Sequence, residues 1–203
     1  MERRDNYARQ AEQARAHFLS YDQDRLIRKL KLKADEDWLY TSLFGTPYRI
    51  CRHTGSLRRR EGEEWIPADS FGETMTILDL VCDSREDRYL GCRWKNMTDF
   101  GLQFHRDLME EADPWAERFA ADPEGLRRAC LAMGGTPLSV GDVAYAIEIF
   151  DGLPVAVQLW LGDEEFPANL RLLWDENALM YIKYETMYYA RALLLHRLAA
   201  LME

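Results

Sequence analysis

Tyr7, Ala11, Ala14 and Phe18 recur at helical spacing, which predicts an amphipathic helix over about residues 3–19. Ser20 followed by Gln23 has the form of a capping box, so a second helix is expected to start there and bury Leu26, Ile27 and Leu30. Basic residues in its last turn (Lys29, Lys31, Lys33) suit the negative end of the helix dipole. From Trp38 the period changes. The runs WLYTSLF, YRICR and SLRRR are broken at Gly45-Thr46-Pro47 and Thr54-Gly55, and they predict a small antiparallel meander over 37–60. Ser70 with Glu73 forms another capping box before a helix to about Cys82, with Phe71, Met75, Leu78 and Cys82 on one face.

The second half alternates helix and strand signals in the same way. RYLGCRW reads as a strand and FGLQFHRDLMEE as helical, although 84–112 carries the weakest pattern of the chain. Asp113-Pro114 and Asp122-Pro123 each set an N-cap before a proline at the first helical position. The second begins a helix that aligns Leu126, Ala129, Cys130 and Met133 and stops at Gly134-Gly135. Val143, Tyr145, Ile147 and Ile149 then alternate up to Asp151-Gly152, the strongest hairpin signal in the chain, with 154–161 returning and 170–174 adding a third strand. Residues 184–202 form a long final helix with Tyr184, Met187, Tyr188, Leu194, Leu195, Leu198 and Leu201 inward. These patterns predict an α+β fold over 1–203 as one domain. Its antiparallel sheet is built from the meanders near 37–60 and 143–174 and flanked by helices, with the helical segment 1–33 packed on it.

Composition narrows the function classes. With 203 residues, 47% of them hydrophobic, the chain is long enough to bury a core, and no apolar run approaches a membrane span. The opening MERRDNYARQ lacks the apolar centre of a signal peptide, so a cytoplasmic protein is expected. A net charge of -9 argues against a general nucleic-acid binder. Cys51, Cys82, Cys92 and Cys130 are too scattered for a zinc site and are expected as free thiols. No dinucleotide fingerprint, P-loop, zincin motif or nucleophile elbow is present.

One stretch resists a purely structural reading. In VQLWLGDEEFPANLRLLWD, residues 157–175, three consecutive carboxylates (Asp163, Glu164, Glu165) separate two apolar runs. If 143–150 and 153–161 form a hairpin, Asp142 and the 163–165 loop meet at one sheet edge, whereas Asp175 falls at the other. Asp142, Asp163 and Glu165 are therefore the candidate ligands for a hard cation such as magnesium or calcium, with Glu164 facing solvent. The alternative is a solvated turn in which Asp163 accepts backbone amides while Phe166 and Pro167 anchor the loop.

The run LAMGG at 131–135, the Gly141-Asp142 pair and LPVAVQLWLGDEEFPANLRLLWD at 153–175 resemble a bacterial and archaeal family of uncharacterised proteins, domain of unknown function family 3786. FGTPYRI at 44–50 and the Trp94, Phe100, Phe104 pattern extend the resemblance over most of the chain. Such proteins commonly carry a Leu-Pro and an acidic pair before the last helix, where this chain has Tyr181-Ile182-Lys183-Tyr184-Glu185, so no role is carried over to that junction. Some relatives bear an iron–sulfur domain like that of corrinoid proteins of anaerobes. The cysteines here form no such cluster, and no cofactor is carried over. By analogy, the expectation is a binding or accessory protein in anaerobic redox or one-carbon metabolism, with a protein or small-molecule partner and no contact with nucleic acid or membrane. The rivals are a Mg- or Ca-dependent enzyme using the Asp142/Asp163/Glu165 edge and a protein-interaction scaffold. No catalytic residue is assigned.

Overall fold

The computed structural model describes residues 2–100 and 114–203, and the side chains from Asn6 onward. Among them it is an α+β protein with six helices, two antiparallel sheets and a long C-terminal helix. The chain divides into two compact units, residues 1–89 with 179–193, and residues 90–178 with 194–203.

The first unit opens with helices α1 (Glu2–Ser20) and α2 (Gln23–Leu30). A five-stranded sheet follows in chain order, β1 (Lys33–Ala34), β2 (Trp38–Leu43), β3 (Thr46–Cys51), β4 (Leu57–Glu61) and β5 (Glu64–Pro67). Period two divides its faces. Leu39, Leu43, Tyr48, Ile50 and Leu57 are fully buried on one side, each large aliphatic contributing about 1.5–3 kcal/mol. Trp38, Tyr40, Arg49, Arg58, Arg60 and Trp65 alternate with them and point to the other side. Helix α3 (Phe71–Asp83) starts at the reciprocal cap anticipated above, with Ser70 Oγ donating to Glu73 Oε2 at 2.6 Å. It is buried nearly all round, including Thr74, Thr76 and Asp79.

The second unit holds the other sheet, in the order β6-β10-β9-β8-β7. Its strands are β6 (Trp94–Asn96), β7 (Thr136–Pro137), β8 (Val143–Phe150), β9 (Leu153–Trp160) and β10 (Asn169–Asp175), with helices α4 (Pro114–Ala120) and α5 (Pro123–Ala132). The β8–β9 hairpin turns on Asp151 (φ 50°) and Gly152 (φ 79°), the two positive φ values of a type I′ turn. Glu148 accepts the Gly152 amide at 2.9 Å and steadies it. Helix α5 is capped by Asp122, whose side chain accepts Gly125 N, with Pro123 at the first helical position. The last helix, α6 (Tyr184–Met202), contributes residues 184–193 to the first unit and 194–202 to the second.

Several expectations need correcting. Helix α2 is capped by Asp22, which accepts the Arg25 amide, while Ser20 turns back to donate to the His17 carbonyl of α1. An aspartate two residues further on competes better for the cap because its carboxylate also meets the positive end of the dipole. Strands β1 and β5 extend the predicted three-stranded meander at both edges. In 84–112, the structure places a strand at Trp94–Asn96, later than RYLGCRW implied, and most of FGLQFHRDLMEE lies outside the described residues. Leu201 is 51% exposed, because the inward stripe of α6 ends at Leu198 and Ala199.

Candidate functional site

The edge of the second unit that carries Asp142 and Asp163 is built by the β8–β9 register. Val143 pairs with Leu159, so the residues just before β8 and just after β9 run side by side. The Asp142 amide donates to the Leu159 carbonyl at 2.9 Å, and Asp142 Oδ2 accepts the Leu161 amide at 2.8 Å. Arg127 of α5 donates to the Asp142 carbonyl and pairs with Glu124 at 3.0 Å. Gly141 has φ 109°, a conformation that favours glycine, and a Cβ there would stand a tight 3.1 Å from the Leu159 carbonyl.

The next segment closes on itself. Asp163 Oδ1 accepts the amides of Glu165 at 2.9 Å and Phe166 at 2.8 Å, and the Asp163 amide donates to the Phe166 carbonyl at 2.9 Å. The Glu165 and Phe166 amides hold the Asp163 carboxyl below the usual carboxylate range. A Cβ on Gly162 would fall 2.8 Å from the Ala168 amide, so the turn is tight as well as self-bonded. Glu164 and Glu165 are exposed. Phe166, expected to anchor the loop, is instead 67% exposed, because Asp163 closes the turn without burying it. Val140 and Leu161 are exposed on the same two segments.

Thus Asp142 and the Asp163 turn do adjoin, but the carboxylate oxygens that form hydrogen bonds accept main-chain amides. Among the described residues no group of three or more His, Cys, Asp or Glu side chains is arranged to hold a metal ion. Asp175 lies at the far end of β10, as expected from the strand direction. It is buried, and its two oxygens accept the amides of Gly91, Cys92 and Asn177 at 2.8–2.9 Å.

A profile for a family described as a domain of unknown function, DUF3786, matches residues 22–197. The chain belongs to this family. No curated protein and no solved structure shows a significant match.

The DUF3786 match covers Lys183, Asp79 and Asp83, the centre of a charged cluster in the first unit that sequence reasoning missed. Lys183, on the segment before α6, places its ammonium 2.7 Å from Asp83 Oδ2 and 3.4 Å from Asp79 Oδ1, both on α3. Thr186 donates to Asp79, Tyr21 donates to Asp83 Oδ1 at 3.0 Å, and His17 lies 3.5 Å from the same oxygen. Lys29 of α2 meets the Cys82 and Ser84 carbonyls at the end of that helix. The available signal was a pair of aspartates four apart in the half of α3 that is otherwise apolar, residues 77–83. Their cation lies 104 residues away from Asp79 and had no local signature. A second buried acid, Glu73, accepts from Tyr48 at 2.6 Å, Arg59 at 3.2 Å and Ser70. Burial pushes its carboxyl up, but these three donors outweigh that and hold it low.

Proposed function

We propose that the protein is a binding or accessory module that engages a partner protein through the Gly162–Pro167 turn. The observation that carries this reading is the combination of a rigid turn with an exposed aromatic ring. Asp163 locks the backbone, while Phe166 is held 67% exposed beside Glu164 and Glu165. A large apolar side chain on a preorganised turn enters a partner with little further loss of conformational freedom. Its acidic flanks select a partner surface in which an apolar pocket is rimmed by Lys or Arg. The second unit suits such a partner as a whole: by sequence it holds 8 basic and 17 acidic side chains.

The test compares affinity capture of wild-type protein from its native cells with capture by Phe166→Ala and by the Glu164→Lys/Glu165→Lys double variant. A stoichiometric basic partner is expected with wild type and lost with both variants. Glu12→Lys, on an exposed position of α1, should leave it in place. Capture unaffected by either change at the turn, or no partner of wild type, overturns the reading.

A further inference from the structure

The outer face of the β1–β5 sheet carries a second kind of chemistry. Arg49 of β3 lies between two indoles, its guanidinium carbon 4.0 Å from the Trp38 ring centre and 4.8 Å from that of Trp65. Arg58 pairs directly across from Arg49 and sits 6.0 Å from Trp38, while Arg60 pairs with Trp65. Stacking fixes the guanidinium plane of Arg49, which also interacts with Tyr40 and Asp35, while the exposed Arg58 and Arg60 keep edge donors that prepare this face for a carboxylate or phosphate.

None of these three arginines forms an ion pair among the described residues. Arg58 donates to the Trp65 carbonyl and Arg60 to that of Gly62. Arg59, one residue away on the opposite face, is paired with Glu61 at 2.7 Å and Glu73 at 3.2 Å. Arg52 and Arg15 are likewise paired, with Asp24 and Asp69. The neighbouring Asp35 is already engaged by the Tyr40 hydroxyl at 2.6 Å and by the Asp37 and Trp38 amides. By sequence the first unit holds 18 basic and 18 acidic side chains, so the chain's net charge of -9 does not describe this surface.

The geometry points to a docking face for an acidic, extended segment of a partner protein. Arg58 and Arg60 are two residues apart on one strand, and alternate side chains of an extended segment repeat every ~6.6–6.8 Å. Carboxylates at alternate positions of the partner therefore meet them in register, with Arg49 set one strand over. An open sheet face suits a macromolecular segment better than a small molecule, which requires a concave site. Single-stranded nucleic acid is the less favoured anion, because base stacking needs free rings. Trp38 already faces Arg49 and Arg58, and Trp65 contacts Arg49 and Tyr40, the latter with ring centres 6.1 Å apart. This surface is separate from the Gly162–Pro167 turn and does not depend on the role proposed there.

Fluorescence polarisation with the full chain tests the assignment, using an eight-residue peptide alternating Glu and Ser, its Gln-Ser counterpart and an eight-nucleotide oligo-dT. Saturable, salt-sensitive binding of the Glu peptide alone is expected, weakened about tenfold by Arg58→Gln/Arg60→Gln. Both positions are exposed, and circular dichroism verifies that the variant is folded. Arg49→Lys, which keeps the charge but not the stacked plane, should also weaken binding. No saturable binding of the Glu peptide, unchanged binding by the double variant, or oligo-dT binding at least as tightly would each overturn the proposal.

Discussion

Asp79 and Asp83 stand one turn apart on α3 and share the Lys183 ammonium, yet their proton affinities move in opposite directions. Burial pushes both carboxyls up. At Asp79 the hydroxyl of Thr186 and the more distant Lys183 offset that only in part, so its pKa stays raised. At Asp83, Lys183, Tyr21 and His17 together outweigh burial and hold the pKa low. Asp79 is the more deeply buried of the two, feels the Asp83 charge and has the more distant ammonium, so burial prevails there and the donors prevail at Asp83.

The two positions should therefore respond differently to substitution and to pH. Asp83 has a depressed folded-state pKa, so its contribution is present above the unfolded carboxyl pKa and is lost as pH falls through the folded value. Asp79 has a raised one, so folding binds protons there and stability falls as pH rises from the unfolded value through the folded one. Asp83→Asn should cost about 1 kcal/mol at pH 7, a modest figure because Lys183 is half exposed. Asp79→Asn, which keeps an acceptor for Thr186, should lie within about 1 kcal/mol of wild type. Urea denaturation at neutral and acidic pH tests both. A larger loss at Asp79 than at Asp83 would invert the assignment.

The thiols should separate by burial. All four cysteines are free, with Cys92 exposed, Cys51 half-buried, and Cys82 and Cys130 buried. Desolvation pushes Cys82 and Cys130 up to about 12. At Cys51, burial is outweighed by the Thr54 hydroxyl and the His53 and Thr54 amides, which lower its pKa. Titration of native protein at pH 8 with a disulfide reagent should label Cys92 and Cys51. Cys82 and Cys130 should react only after denaturation. Rapid labelling of all four without denaturant would contradict the burial.

Much of the architecture was legible because it is encoded locally. Ser70 and Glu73 are three apart, Asp151-Gly152 is a dipeptide, and the period-two runs of β2 and β8 span eight residues or fewer. The adjacency of Asp142 and the Asp163 turn also followed, since a single hairpin relates them. What stayed hidden depends on distant partners or on competition between neighbours. Lys183 meets Asp79 only through the fold, and Asp22 displaces Ser20 as cap by a margin that spacing does not reveal. The Trp38–Arg49–Trp65 stack needs the register of four strands before its residues face one another.

Gly152 offers a nearly pure measure of backbone strain. Its φ is 79°, and a Cβ there would meet nothing within 4 Å, so the first carbon of a side chain adds no steric contact. Gly152→Ala should cost about 1 kcal/mol, and Gly152→Val about 1–2 kcal/mol, from left-handed strain alone. Denaturant midpoints with unchanged m-values would establish this. An unaffected Val variant would mean that the turn does not require this conformation.

The carboxylate edge yields the last test, which separates turn chemistry from metal binding. Asp163 Oδ1 accepts two amides and Asp142 Oδ2 accepts a third, so one oxygen of each carboxylate is already committed to main-chain donors. A hard divalent ion prefers six or more oxygens and must compete with these bonds. Saturating magnesium or calcium should therefore leave the melting temperature of wild type unchanged, because a ligand stabilises only the state it binds. Asp163→Ala removes the acceptor of both amides and should lower that temperature, whereas Asp163→Asn, which keeps an acceptor oxygen, should lower it less. Glu165→Gln, at an exposed side chain with its amide still bonded, should leave it unaltered. A metal-induced rise that disappears in Asp163→Asn and Glu165→Gln alike would show that Asp163 exchanges its amide donors for an ion that Glu165 also binds, and would restore the enzyme reading.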